Sequence, residues 1–352
     1  MGRWDLPPLS PGELAPPIVA ATRANPRYRF STVAGRYALV GVMPDDGARR
    51  ARALAALDAL RPHIDGRRLA AFLVARAPRD DMVDNIPTQR WMFDPDGAVA
   101  RLLDAEDEPA WLLFDPTLRL LQRIPLDETD ALARRIAALG GVDDHAGAPL
   151  VAPVLTLPRV FEPDLCRRLI AYYEARGGAP SGVMRDVGGR TIGVLDPMKR
   201  RSDVLIETQD LKDEVRGALA RNLVPMVERA LQFRATRLER YLVACYDASS
   251  GGWFMPHRDN ETLGTAHRRF AVSINLNAEE HEGGDLRFPE FGSRTYRPPT
   301  GGAVVFCCSL QHEATAVTRG RRHAFLPFLY DEAGQRIRDK NLPFLDTPGP
   351  PA

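Results

Sequence analysis

Two places in the chain set a histidine and an aspartate two residues apart, His63-Ile64-Asp65 and His257-Arg258-Asp259. On a strand, residues i and i+2 point the same way, so such a pair offers an imidazole nitrogen and a carboxylate to one ion. The pair alone is a weak signal. With seven histidines in the chain, chance supplies roughly half of one such pair, so at least one is accidental. Context separates the two. His63 and Asp65 end a helical segment in the turn HIDGRR, and no later residue of that half completes a ligand set, so they read as polar residues capping a turn. His257 and Asp259 follow GGWFMP and precede a strand-rich region, where His312 comes just after the run GAVVFCCSLQ. Two histidines and one carboxylate on one side of a metal leave positions open, the donor set of non-haem Fe(II) sites. Ten residues beyond His312, Arg322 opens another strand.

The elements that must position these residues are short strands. From 238 to 330 apolar runs alternate with turns: Tyr241–Tyr246, Phe270–Leu276, Asp285–Phe288, Ala303–Cys307 and Ala324–Leu329. Close spacing of this kind predicts a β-sandwich or jelly roll. Along Val272–Asn277, Val272, Ile274 and Leu276 alternate with Ser273, Asn275 and Asn277, so one face packs in a core and the other lines a polar cleft. Before this block, Glu162–Ala175 reads as an amphipathic helix and Asp210–Leu231 as one long helix. Residues 176–195 hold six glycines and predict a mobile loop. Lys199-Arg200-Arg201 beside it reads as a solvated charge cluster, or as a lure for an acidic substrate. His267 and His281 read as loop residues with surface roles. His323, next to Arg322 on a strand, points to the opposite face and reads as structural. Trp253 either borders the site or covers the core.

The block YLVACYDASSGGWFMPHRDN, then RRFAVSINLN, GGDLRFPEFG and GAVVFCCSLQHEATAVTRGRRHAFLPFLYDE resembles the core of Fe(II)/2-oxoglutarate-dependent dioxygenases of the prolyl 4-hydroxylase type. The resemblance covers about residues 153–332, and order, spacing and flanks agree together. It implies a double-stranded β-helix (jelly roll) and the iron ligands His257, Asp259 and His312. It matches Arg322 to the residue that binds the distal carboxylate of 2-oxoglutarate and Tyr246 to a tyrosine that hydrogen-bonds this cosubstrate; Asn275, on the polar face of Val272–Asn277, is a candidate cosubstrate contact. An arginine fork suits a carboxylate and stays charged. The implied reaction consumes O2 and 2-oxoglutarate, hydroxylates a C–H bond of a peptide or protein side chain or an amino-acid-like small molecule, and releases succinate and CO2. Ascorbate would serve as an accessory reductant and the glycine-rich loop as a substrate lid. The alternative is a non-catalytic sensor or scaffold that keeps the metal and cosubstrate pockets.

The first half differs. Tyr37–Met43, Leu69–Ala75, Arg90–Phe93, Trp111–Phe114 and Leu118–Ile124 read as strands. Gly47–Leu60 and Asp127–Leu139 read as helices, the second capped by Asp127. This β-α-β…β-β-α order predicts an α/β sandwich. With FDPDGAVARLL and WLLFDPTLRLL it resembles the peroxiredoxin/thioredoxin-like superfamily. That family places its thiol in P-x-x-x-T-x-x-C. Here Pro44 is followed by Ala48 and Ala51 at the Thr and Cys offsets, and no cysteine precedes Cys166, so thiol peroxidase chemistry is absent. A scaffold, homodimer or substrate-presenting role stays open for this half. The resulting division is an irregular segment 1–24, a thioredoxin-like domain 25–140, a linker 141–152, a dioxygenase domain 153–332 and a tail 333–352, frayed from Thr347.

Length and composition set the outer bounds. The 352 residues suit about two domains. The net charge of +1 argues against nucleic-acid binding, which needs a basic surface. Four cysteines without C-x-x-C make no disulfide framework, and Cys307 and Cys308 read as buried, inert thiols. No leader or apolar span is visible, so a cytoplasmic protein without membrane association is expected.

Overall fold

The computed structural model describes residues 9–345, so residues 1–8 and the tail expected to fray from Thr347 lie outside the described residues. The chain forms two compact units. One runs to Val151 and takes in Pro289–Ser293; the other runs from Ala152 to Phe288 and resumes at Arg294.

The first unit is built on five apolar runs: β1 (Tyr37–Val42), β2 (Leu69–Ala75), β3 (Gln89–Phe93), β4 (Ala110–Phe114) and β5 (Leu120–Pro125). They pair in the order β3-β2-β1-β4-β5. β1, β2 and β3 run parallel; β4 and β5 are joined antiparallel. All residues of β1 and β2 are buried, as central strands covered on both faces require. Period-2 alternation sends Ala38, Val40 and Val42 into one core, with Val99 and Ala100 of α2 (Ala98–Leu102). Tyr37 and Leu39 enter the other, with Ala53 and Leu57 of α1 (Gly47–Ala59) and Leu132 and Ile136 of α3 (Thr129–Ala137). The predicted sandwich is thus observed. Asp127 is not the cap expected of it: α3 starts at Thr129, and no side chain caps it.

In the second unit the elements are β6 (Leu155–Leu157), α4 (Pro163–Arg176), β7 (Val183–Val187), β8 (Arg190–Val194), β9 (Ser202–Leu205), α5 (Gln209–Asn222), α6 (Val224–Leu231), β10 (Arg237–Glu239), β11 (Leu242–Asp247), β12 (Phe254–His257), β13 (Phe270–Asn275), β14 (Leu286–Arg287), β15 (Thr295–Tyr296), β16 (Ala303–Cys307), β17 (His312–Ala314), β18 (Arg321–Phe325), β19 (Phe328–Tyr330) and α7 (Glu332–Asn341). A large sheet runs β10-β19-β13-β18-β11-β9, with β16 joining β13 to β6; a smaller one runs β12-β17-β14-β15. One face of the large sheet carries Val243, Cys245, Val272, Ile274 and Phe325 against Leu165, Leu169, Val215, Leu219 and Val227 of α4, α5 and α6. Alternation therefore turns Tyr246, Ser273, Asn275 and Arg322 to the other face.

Four expectations need correction. The long helix breaks at Leu223 into α5 and α6, with Pro225 in the first turn of α6, because proline cannot supply the N–H that would continue α5. The single strand expected at Ala324–Leu329 is two, β18 and β19, separated by Leu326 and Pro327. The glycine-rich stretch is not a loop throughout: β7 and β8 pair over five residues as a hairpin around Gly188-Gly189. It is tied down where Gly264 N–H donates to Thr191 Oγ1 at 2.9 Å. The stretch read as a tail from 333 carries α7, capped by Asp331, whose side chain accepts from Gly334 N–H. No helix among the described residues is long and apolar enough to cross a membrane.

Candidate metal and carboxylate site

The smaller sheet brings the predicted ligands together. His257 ends β12 directly across from His312 at the start of β17, and a register shift between Phe254 and His257 re-aims the end of the strand. Asp259 lies two residues on, its N–H held by Cys308 O at 3.0 Å. One ligand atom from each of the three lies within 4.8 Å of the others. Asp259 Oδ2 is 3.2 Å from His312 Nε2, and Oδ1 is 3.7 Å from His257 Nε2. Each imidazole is oriented from behind: His257 Nδ1 lies 2.8 Å from Met255 O and His312 Nδ1 3.1 Å from Leu310 O. A carbonyl only accepts, so Nδ1 carries the hydrogen, and in the neutral ring Nε2 then keeps its lone pair. Burial pushes His257 down to about 3. Burial would raise Asp259, but the adjacent histidines outweigh it and hold the carboxyl below its usual range. A neutral imidazole and an ionised carboxylate are the forms that bind a cation.

On the facing side of the large sheet, Tyr246 and Arg322 are cross-strand partners on β11 and β18. Arg322 is 3% exposed. Its Nη2 donates to Ser273 Oγ at 2.9 Å, and Nη2 and Nε reach Asn275 Oδ1 at 3.3 and 3.4 Å. Its guanidinium carbon stands 5.1 Å from the Tyr246 ring centroid. No carboxylate pairs with it among the described residues. A buried guanidinium without an anion is costly, a cost that an anionic ligand would offset. The G-G-D-L-R-F glycines make room for it: at Gly284, φ +72°, a Cβ would come within 2.9 Å of Arg322 Cδ. The neighbouring arginines are spent on the surface, Arg319 on Glu282 and Arg321 on Glu174.

No protein-family model matches the chain. In sequence, residues of this chain align with a protein described as PKHD-type hydroxylase from Synechococcus sp. (strain JA-2-3B'a(2-13)), 25% identical over 125 residues, 34% of this chain and 53% of that one. A PKHD-type hydroxylase of Pseudomonas fluorescens (strain Pf0-1) is 27% identical over 179 residues, 49% of this chain and 75% of that one. Its relatives in sequence are hydroxylases. The chain spans about half the length of the first of these relatives. Among solved structures, a prolyl hydroxylase from Trichoplax adhaerens in complex with a peptide fragment of hypoxia inducible factor superposes with TM-score 0.43, at 16% identity, over 59% of this chain and 96% of that one. A thiol:disulfide interchange protein DsbE from Chlorobium tepidum gives TM-score 0.31 at 16% identity, over 37% of this chain and 97% of that one.

Several side chains around these candidate ligands escaped the sequence reading. The Lys199 and Arg201 side chains are buried, and of the expected solvated cluster only Arg200 is exposed. Lys199 Nζ donates to Ser181 Oγ and Gly182 O, both at 2.7 Å, and stands 4.9 Å from the centroid of Phe254, whose ring stacks on His257. Burial pushes this ammonium down to about 6. Arg201 pairs with Asp203 at 2.6 Å and reaches Tyr246 Oη at 3.5 Å. An Arg-x-Asp pair leading into a strand was the available signal. His267 and His281 are also buried, at 2% exposure each, and not surface residues: His267 Nε2 meets Glu239 Oε2 at 2.8 Å and His281 Nδ1 meets Gly283 O at 3.0 Å. His323 is buried on the far face, edge-on to Tyr173, as alternation predicted. Cys308 is buried but Cys307 is half-exposed, with Sγ 3.0 Å from Ser309 Oγ. Trp253 Nε1 donates to Pro197 O at 3.2 Å.

Proposed function

We propose that the chain is an Fe(II)- and 2-oxoglutarate-dependent dioxygenase that hydroxylates a C–H bond of a peptide side chain or amino-acid-like substrate. The observation that carries this reading is the convergence of His257, Asp259 and His312, with each Nδ1 tied to a carbonyl so that each Nε2 faces the Asp259 carboxylate. Two imidazoles and one carboxylate fit Fe(II) and leave positions open. The buried, anion-lacking Arg322 fits the distal carboxylate of 2-oxoglutarate. Bound iron and 2-oxoglutarate supply the oxidising power: O2 gives one oxygen atom to succinate and one to the substrate, with loss of CO2. The chain's own residues do the positioning. Ser273 and Asn275 aim the Arg322 fork, and Asn275 is fixed in turn by donating to Pro298 O at 2.8 Å. In this reading Asn275 acts through Arg322, and Tyr246 walls the cosubstrate beside it. The two facing sheets are the halves of a jelly roll. The first unit is a thioredoxin-like scaffold without a thiol, since Ala48 and Ala51 stand on α1 where the family's threonine and cysteine would be.

The test is O2-dependent formation of succinate and CO2 from 2-oxoglutarate with Fe(II), stimulated by candidate peptides or amino acids. His257→Ala should abolish it. Turnover that survives in this variant would refute the ligand assignment. Binding of 2-oxoglutarate without oxidation of any candidate would favour a sensor.

A further inference from the structure

A cavity of about 460 Å³ opens beside the hairpin β7–β8, between the end of β10 and helix α7. That volume suits a small organic molecule. Its charges do not balance. Glu239 in the wall is already satisfied: Arg268 grips it with Nη2 at 2.6 Å and Nε at 2.9 Å, and His267 adds a third contact at 2.8 Å. Two further guanidiniums in the wall, Arg240 and Arg338, have no ion pair among the described residues. Arg240 Nε is buried without a hydrogen-bond partner, and its guanidinium lies 4.3 Å from the Phe328 ring centroid. Its backbone sits at φ +69°, a left-handed conformation that strains a side-chain-bearing residue and concentrates at binding sites. Arg338 is steadied by donating to Tyr330 Oη at 2.8 Å. Burial and the neighbouring Arg268 hold Arg240 down to about 10. Much of the remaining lining is apolar, including Met184, Val194 and Leu342.

The wall is continuous with the supports of the metal site. Arg268 Nη1 donates to Asp259 O at 3.3 Å. Ser181 and Gly182, also in the wall, hold the Lys199 ammonium that stands over Phe254.

We infer that this cavity takes an organic carboxylate on an apolar body, its charge meeting Arg240 and Arg338. That carboxylate belongs either to a free acid or to the end of a peptide. A guanidinium–carboxylate contact discriminates strongly against a neutral isostere, because the amide leaves the buried cation unanswered.

The experiment is calorimetric titration of the full chain with hexanoate and with hexanamide. A Leu/Ala hexapeptide with a free C-terminus, against its amidated form, separates a chain end from a free acid. At least one carboxylate should bind tenfold or more tightly than its amide. Arg240→Met and Arg338→Met should each erase most of that preference, with Fe(II) binding unchanged. Arg338 is half-exposed on α7, so its variant keeps the test alive if Arg240→Met does not fold. Equal binding of acid and amide, no binding of either carboxylate, or an unaltered preference in folded Arg338→Met would overturn the inference. Loss of Fe(II) binding in the wild-type chain would instead strike the proposed function and leave the titration standing.

Discussion

The chain carries the same three-residue pattern twice, and the structure gives the two copies different work. In His63-Ile64-Asp65 the carboxylate is consumed locally. Asp65 Oδ1 accepts from Arg67 N–H at 2.8 Å and Arg68 N–H at 2.7 Å, and His63 is exposed. In His257-Arg258-Asp259 the carboxylate faces two imidazole nitrogens, and the residue across the sheet is the third candidate ligand, His312. The difference is not in the motif. A turn folds a carboxylate back onto its own backbone, whereas a strand with a partner strand also hands it to a residue more than fifty positions away.

The comparison can be broken at either end. The largest effect belongs to the ligands: His312→Ala should weaken Fe(II) binding by more than 100-fold, since even partners behind a metal ligand account for 10–100-fold. His63→Ala should leave it unchanged. Comparable losses in an equilibrium Fe(II) titration would erase the distinction. Next, Arg322→Met should raise the 2-oxoglutarate concentration needed for half-maximal turnover about 100-fold, the scale of losing a bidentate charge-assisted contact, with kcat at saturation far less affected. An unchanged cosubstrate requirement would remove Arg322 from the site. Asn275→Ala, acting only through the aim of that fork, should cost about tenfold in the same measurement; a drop in Fe(II) stoichiometry would assign it a different role.

The smallest effect belongs to the turn. Asp65→Ala should cost about 1 kcal/mol of folding stability, as loss of a side-chain cap does, and nothing in iron binding. Burial opposes ionisation of Asp65, but the backbone N–H groups outweigh it and lower its pKa. A carboxylate depressed in the folded state contributes stability above its unfolded pKa and loses it as pH falls through the folded value. The gap between wild type and Asp65→Ala in denaturant melts should therefore close in acid. A gap that widened with acid would contradict the capping role.

The strands around both motifs were largely legible because their apolar runs have the length and period of strands: Leu69–Ala75 and Ala303–Cys307 were located to the residue. The convergence of His257, Asp259 and His312 was legible too, because H-x-D puts two of them at one strand end and His312 opens the facing strand. What escaped the sequence is informative in physical terms. Six glycines between 176 and 195 suggested mobility, yet glycine at Gly188 and Gly189, with φ +57° and +79°, is what a tight hairpin turn requires. Lys199, Arg201 and His267 read as solvated because charge favours water. Burial became affordable only through partners that no local pattern reveals, Ser181, Asp203 and Glu239. The anion-lacking cations Arg240 and Arg338 lie nearly a hundred residues apart in sequence and become a pair only when α7 folds over the end of β10.

The measurement that bears most directly on the central claim is the number of Fe(II) ions bound per chain under anaerobic conditions, for wild type, His257→Ala and Asp65→Ala side by side. The account predicts one, none and one. Iron retained at full stoichiometry in His257→Ala, or lost in folded Asp65→Ala, would contradict it.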